Sequence, residues 1–107
     1  MKYSECVEDG VLTIGLLLSE EEYLLWQRSL EDDESRDVYF EFNDQINGSY
    51  NCISEISIMR DGIHLVKTDG GLEHFYFDKE FDDYKKLVEG LQKIYSSTPK
   101  ILDVVDR

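Results

Sequence analysis

The sequence predicts an α+β domain: an antiparallel β-sheet meander with an N-terminal and a C-terminal amphipathic helix. Three observations predict it. Apolar and polar residues alternate along 38–42, 56–59 and 72–77, the period of a half-buried strand. Asp61-Gly62 and Asp69-Gly70-Gly71 punctuate these segments as tight turns. Phe81, Tyr84, Leu87, Val88, Leu91, Ile94 and Tyr95 recur at helical spacing on one face. A chain of 107 residues reads as one domain, 1–107, long enough to bury about 65% of its unfolded surface.

Residues 11–18 are short, apolar and preceded by Gly10, which predicts a buried or half-buried strand. Ser19 with Glu22 three residues on has the form of a capping box and predicts a helix start. Glu20, Glu21 and Glu22 would then fill the first turn, where the helix dipole favours anions. Tyr23, Trp26, Gln27 and Leu30 share one side of that helix, and Trp26 is expected in the core. Residues 31–37 form an acidic run broken by Ser35 and Arg36, a solvated linker.

Val38, Phe40 and Phe42 alternate with Tyr39 and Glu41 in a strand with two distinct faces. Asn47-Gly48 is then expected in a turn, because Asn and Gly tolerate positive φ. Ile56 and Ile58 define another strand. Ile53 falls out of its phase, as a bulge or a late strand start would produce. Residues 63–66 and 72–77 continue the meander. In the final helix, Asp78, Glu80, Asp82 and Asp83 lie near the start and Lys93 near the end, as the dipole favours. Ser96-Ser97-Thr98-Pro99 stops it, and residues 101–105 form an apolar tail, read as a final strand or a docked extension.

The net charge is −13, beyond the magnitude of roughly 2–8 that keeps a small domain soluble. Such a surface disfavours nucleic acid and anionic membrane and favours a basic protein partner. Cys6 and Cys52 stand far apart and outside any CxxC spacing, so both are expected as reduced thiols. The first five residues lack the apolar stretch of a signal peptide, and Leu16-Leu17-Leu18 is far too short to span a bilayer. The expectation is a cytoplasmic monomer.

Candidate chemistry is sparse. His64 and His74, with Cys52 or Glu73, do not have a metal-binding spacing, so no metal and no cofactor are expected. Glu41, Asp44 and Glu55 could supply a carboxylate pair, and an enzyme or small-ligand domain using His74 with Glu41 or Asp44 stands as the alternative class. An acidic structural subunit, pairing through its apolar tail, is a third. Neither a nucleophile with a nearby base nor a glycine-rich phosphate loop is visible. The polar set Glu41, Asp44 and Gln45, which turn chemistry does not account for as it does Asn47-Gly48, reads in two ways. It is an internal hydrogen-bond network holding a long turn, or a group of outward acceptors for a partner's Arg and Lys.

Glu41-Phe42-Asn43-Asp44-Gln45, then Tyr50, residues 53–59, Arg60-Asp61-Gly62-Ile63 and the helix up to Ile94-Tyr95 carry a resemblance. In these residues the chain resembles the immunity protein 10 family of bacterial polymorphic toxin systems, over about its second half. The resemblance implies a small cytoplasmic antitoxin without catalytic residues, binding a cognate toxin domain and blocking it. The charge suggests that the toxin is a basic protein such as a nuclease. The expected partner-binding residues are Glu41, Asp44, Gln45, Asn47 and Tyr50.

Overall fold

The computed structural model describes residues 1–31 and 37–105. Residues 32–36 of the expected acidic linker lie outside the described residues. The first sheet is a sequential antiparallel meander of β1 (Lys2–Glu8), β2 (Val11–Leu17), β3 (Tyr23–Ser29), β4 (Val38–Phe42) and β5 (Asp44–Tyr50). The second contains β6 (Ile53–Met59), β7 (Gly62–Lys67) and β8 (Leu72–Tyr76), with β9 (Leu102–Val104) returning beside β6 in parallel. One helix, α1 (Tyr84–Ile94), and a 3₁₀ turn at Pro99–Ile101 lie between β8 and β9. The mainly antiparallel sheets and the C-terminal helix agree with the α+β expectation.

The expected N-terminal helix is replaced by β3. Leu24, Trp26 and Arg28 are buried while Tyr23, Leu25 and Gln27 are half-buried on the other side, a period of two. Ser19 does act as a cap, but of a turn: its Oγ accepts from the Glu21 and Glu22 amides, and the Glu22 carbonyl accepts from Leu18 and Ser19. A capping box marks local geometry and leaves the following residues free to extend.

The first strand had no counterpart in the sequence reading. It is joined to β2 by Asp9-Gly10, both at positive φ (52° and 75°), as a two-residue hairpin turn requires. Two asparagines shape the middle of the chain. Asn43 (φ 61°) makes the β4–β5 turn, and its Oδ1 accepts from the Tyr23 amide at 3.0 Å. Asn51 (φ 54°) marks the passage from the first sheet to the second, and its Oδ1 accepts from the Val38 amide at 3.0 Å. Each clips its turn to a neighbouring strand through both backbone and side chain. The expected turn at Asn47-Gly48 therefore moves to Asn43, and Asn47 and Gly48 lie inside β5.

The inner faces of both sheets share one core with α1. Leu12, Ile14 and Leu16 of β2, Ile56 and Ile58 of β6, and Ile63 and Leu65 of β7 are almost fully excluded from water. Trp26 sits among them against Phe40, ring centroids 5.2 Å apart. Phe42 meets Phe75 of the opposite sheet at 6.4 Å. Leu87, Leu91 and Ile94 close the core from α1, each buried side chain contributing about 1.5–3 kcal/mol. The helix starts at Tyr84, so the acidic residues expected near its start lie just before its first turn. The N-cap, Asp83, pairs with Lys86 at 3.5 Å. The apolar tail takes the strand form: β9 pairs with β6, and the Val105 amide extends the ladder to the Ile58 carbonyl at 2.9 Å. The register break between Ile53 and Glu55 fits the bulge anticipated there.

Arg28 is the unusual member of the core, 4% exposed. It reaches across to the C-terminal end of α1, donating to the Lys93 carbonyl at 3.0 Å and to Ser96 and Ser97 Oγ. A guanidinium suits that place, because the last carbonyls of a helix lack amide partners and carry the negative end of its dipole.

Candidate functional site

The partner-binding residues expected from the sequence divide into two groups. Glu41 is buried at 7% exposure on the outer side of β4, where it accepts hydrogen bonds from the hydroxyls of Tyr23 and Tyr39. That is the internal network of the two alternatives. The bond to Glu41 pushes the Tyr23 phenol up to about 12, because it stabilises the protonated hydroxyl and the carboxylate repels a phenolate. Tyr39 is raised likewise by its own bond to the other Glu41 oxygen. Gly48 completes this arrangement: a Cβ there would fall on the Tyr39 hydroxyl, so glycine lets β5 pass beneath it without displacing the phenol.

The other residues stay at the surface. Asp44, Gln45, Asn47 and Tyr50 are all exposed along β5, with Ile46 between them at 87%. Asp44 Oδ1 accepts from the Ile46 amide at 3.3 Å, and Asn47 Nδ2 donates to the Phe42 carbonyl across the irregular β4–β5 pairing. Asp44 and Asn47 thus hold the turn as well as facing water. Gln45, Ile46 and Tyr50 are the larger exposed side chains of β5 that do not hold the turn. β5 is also an edge strand, pairing with β4 on one side only.

Cross-strand register reveals the surface that the sequence did not show. Cys6 lies opposite Thr13, Thr13 opposite Gln27, Gln27 opposite Tyr39, and Tyr39 opposite Tyr50. These residues form one row across all five strands on the outer face of the first sheet. Gln27 donates to Thr13 Oγ1 at 3.1 Å, and the Tyr39 and Tyr50 rings meet edge-on at 5.3 Å. The row borders a groove of about 610 Å³ whose rim includes Glu8, Asp9 and Asp37. Only the register of five strands, separated by up to forty-odd residues of chain, puts these side chains together. No local spacing signals it.

The acids are distributed unevenly. Residues 1–51 contain thirteen acidic and three basic residues, a balance of −10, against eleven and eight in residues 52–107. Among the described residues, the ion pair reaching an acid of the first sheet is Lys93 with Glu5 at 3.2 Å. That pairing and a bond from the Tyr3 hydroxyl hold the Glu5 carboxyl below its ordinary range, the Tyr3 bond having the larger effect.

His64 and His74 face each other on β7 and β8 with ring centroids 5.7 Å apart, and Tyr76 packs on His74 at 4.5 Å. They occupy the outer face of the second sheet, whereas Glu41 occupies the outer face of the first. The two sheets and their shared core separate them, so the alternative grouping of His74 with Glu41 is not assembled. Among the described residues, no three His, Cys, Asp or Glu side chains come together as metal ligands do. Cys6 is an exposed free thiol and Cys52 a half-buried one whose pKa is raised by burial. Among the described residues, no helix is long and apolar enough to cross a membrane. Comparison with known proteins found no matching family model, no matching curated protein and no matching solved structure.

Proposed function

We propose that this protein is an immunity protein of a bacterial polymorphic toxin system. It binds a cognate basic toxin domain in the cytoplasm and neutralises it by covering its active site, with no catalysis of its own. The observation that carries this reading is the concentration of charge: the first-sheet half holds −10 of the total −13. Self-repulsion of that size destabilises a compact state, so a binding role gives it a physical purpose. Opposite potentials steer encounter and can raise association rates by up to about a thousandfold. The exposed β5 edge supports the reading further. Asp44 and Gln45 offer acceptors, and Ile46 and Tyr50 offer apolar and aromatic anchors of the kind that dominate interface energy.

The test is capture of the toxin-like product of a neighbouring gene, with association measured against salt. Binding at micromolar affinity or better, with on-rates falling steeply as salt rises, is expected. Asp44→Lys, which leaves the Glu41 network alone, should slow association by about tenfold. A toxin that remains active in the presence of excess protein removes the proposal.

A further inference from the structure

We infer that the groove on the outer face of the first sheet receives an arginine side chain from the partner, between Gln27, Tyr39 and Tyr50. The inference rests on the binding role proposed above and names its contact chemistry.

Among the described residues, nothing packs over this side of the five-stranded sheet, and its concave part is lined by polar and aromatic groups. Tyr39 is held in place because its hydroxyl donates to Glu41, which leaves the ring as a fixed wall. Tyr50 stands against that wall at 5.3 Å and is 66% exposed, so a planar cation can reach the aromatic corner. A guanidinium within about 6 Å of a Tyr face is attracted by the ring quadrupole. Gln27 uses its NH₂ on Thr13, which leaves its carbonyl oxygen as an acceptor.

Glu8 and Asp9, both exposed, stand at one end of the groove. Among the described residues, Arg28 is the one basic residue that lines the groove. Its guanidinium, however, is engaged on the inner side of the sheet, where it donates to the Lys93 carbonyl and to Ser97 Oγ at the end of α1. Carboxylates alone would hold any cation. The aromatic corner and the side-chain amide favour the flat, multiply donating guanidinium over a lysine ammonium. Charge complementarity therefore selects a basic protein, and the groove chemistry selects arginine within it.

The experiment is a ¹⁵N-NMR titration of the full chain with a tetra-arginine peptide and, separately, a tetra-lysine peptide. Expected are shifts centred on the Gln27 side-chain amide and on Thr13, Tyr39 and Tyr50, with tetra-arginine binding at least threefold more tightly. Tyr50→Ala should weaken tetra-arginine binding at least threefold. Equal binding of the two peptides, shifts spread over the acidic turns, or unchanged binding by Tyr50→Ala would each overturn the groove. A toxin domain bound equally by wild type and Tyr50→Ala also overturns the groove while the immunity role stands. Arginine-specific binding at these residues by a protein that protects against no toxin supports the groove and removes the immunity role.

Discussion

Gly48 and Glu41 are seven residues apart on adjacent strands, and one tyrosine joins them. The Tyr39 hydroxyl lies where a side chain at position 48 would be, and it donates to Glu41. Gly48→Ala should push the phenol aside and cost about 1–3 kcal/mol, the penalty for breaking a bond to a partly buried charged acceptor. Chemical denaturation reads this, and in a Tyr39→Phe background the cost should shrink because the hydroxyl is gone.

The Tyr23–Glu41 bond makes a second prediction. With the folded phenol at about 12 and an ordinary phenol near 10, the folded state keeps a proton that the unfolded state has lost between those pH values. The contribution of this bond is complete below pH 10 and disappears as pH rises through 12. In an ultraviolet titration, Glu41→Gln should move Tyr23 from about pH 12 toward its ordinary midpoint and lower Tyr39 as well. An unchanged titration curve would separate Tyr23 from Glu41. At this scale the sequence showed that Glu41, Asp44 and Gln45 exceed what a hairpin needs. It did not show which were structural, because the tyrosine partner of Glu41 on β3 is eighteen residues away.

Elements followed local pattern where one face was uniformly apolar. The heptad-like run into Tyr95 became α1, and the alternation at 38–42 became β4. Residues 23–29 defeated the pattern because Arg28 occupies a core position. A charge there breaks the apolar alternation that signals a strand, leaving the helical spacing of Tyr23 and Trp26 as the stronger local cue. Its burial is permitted by carbonyl and hydroxyl acceptors 65–69 residues away. β1 lacks a uniformly apolar face as well, though Asp9-Gly10 carries the hairpin signal that locates its end. The return of β9 beside β6 offers an element-scale prediction. Val105→Pro removes the amide that donates to the Ile58 carbonyl, while the side chain is 53% exposed and contributes little. A loss of about 1 kcal/mol is expected in thermal or denaturant unfolding. No loss would show that β9 is docked by Leu102 and Val104 alone.

At the scale of the whole molecule, the excess of carboxylates in the first-sheet half should oppose folding at low ionic strength. Raising salt from about 10 mM to about 500 mM shortens the screening length from roughly 30 Å to under 10 Å. Stability should then rise by about 1 kcal/mol, or about 4–8 °C in Tm for a domain of this size. A Tm that falls or stays level would mean that the carboxylates are compensated within the fold. Charge, the C-terminal helix, the strand at 38–42, the antiparallel run of strands within 53–77 and the surplus of polar side chains around Asp44 were legible in the sequence, whereas the division of these strands between two sheets at Asn51 was not. The legible features rest on composition and on periods of two to four residues. Tertiary structure alone decided that residues 23–29 extend, that Glu41 turns to two tyrosines, and that Thr13, Gln27, Tyr39 and Tyr50 line one groove. Each depends on partners distant in the chain, and register across five strands is set by the shared core, which no local window contains.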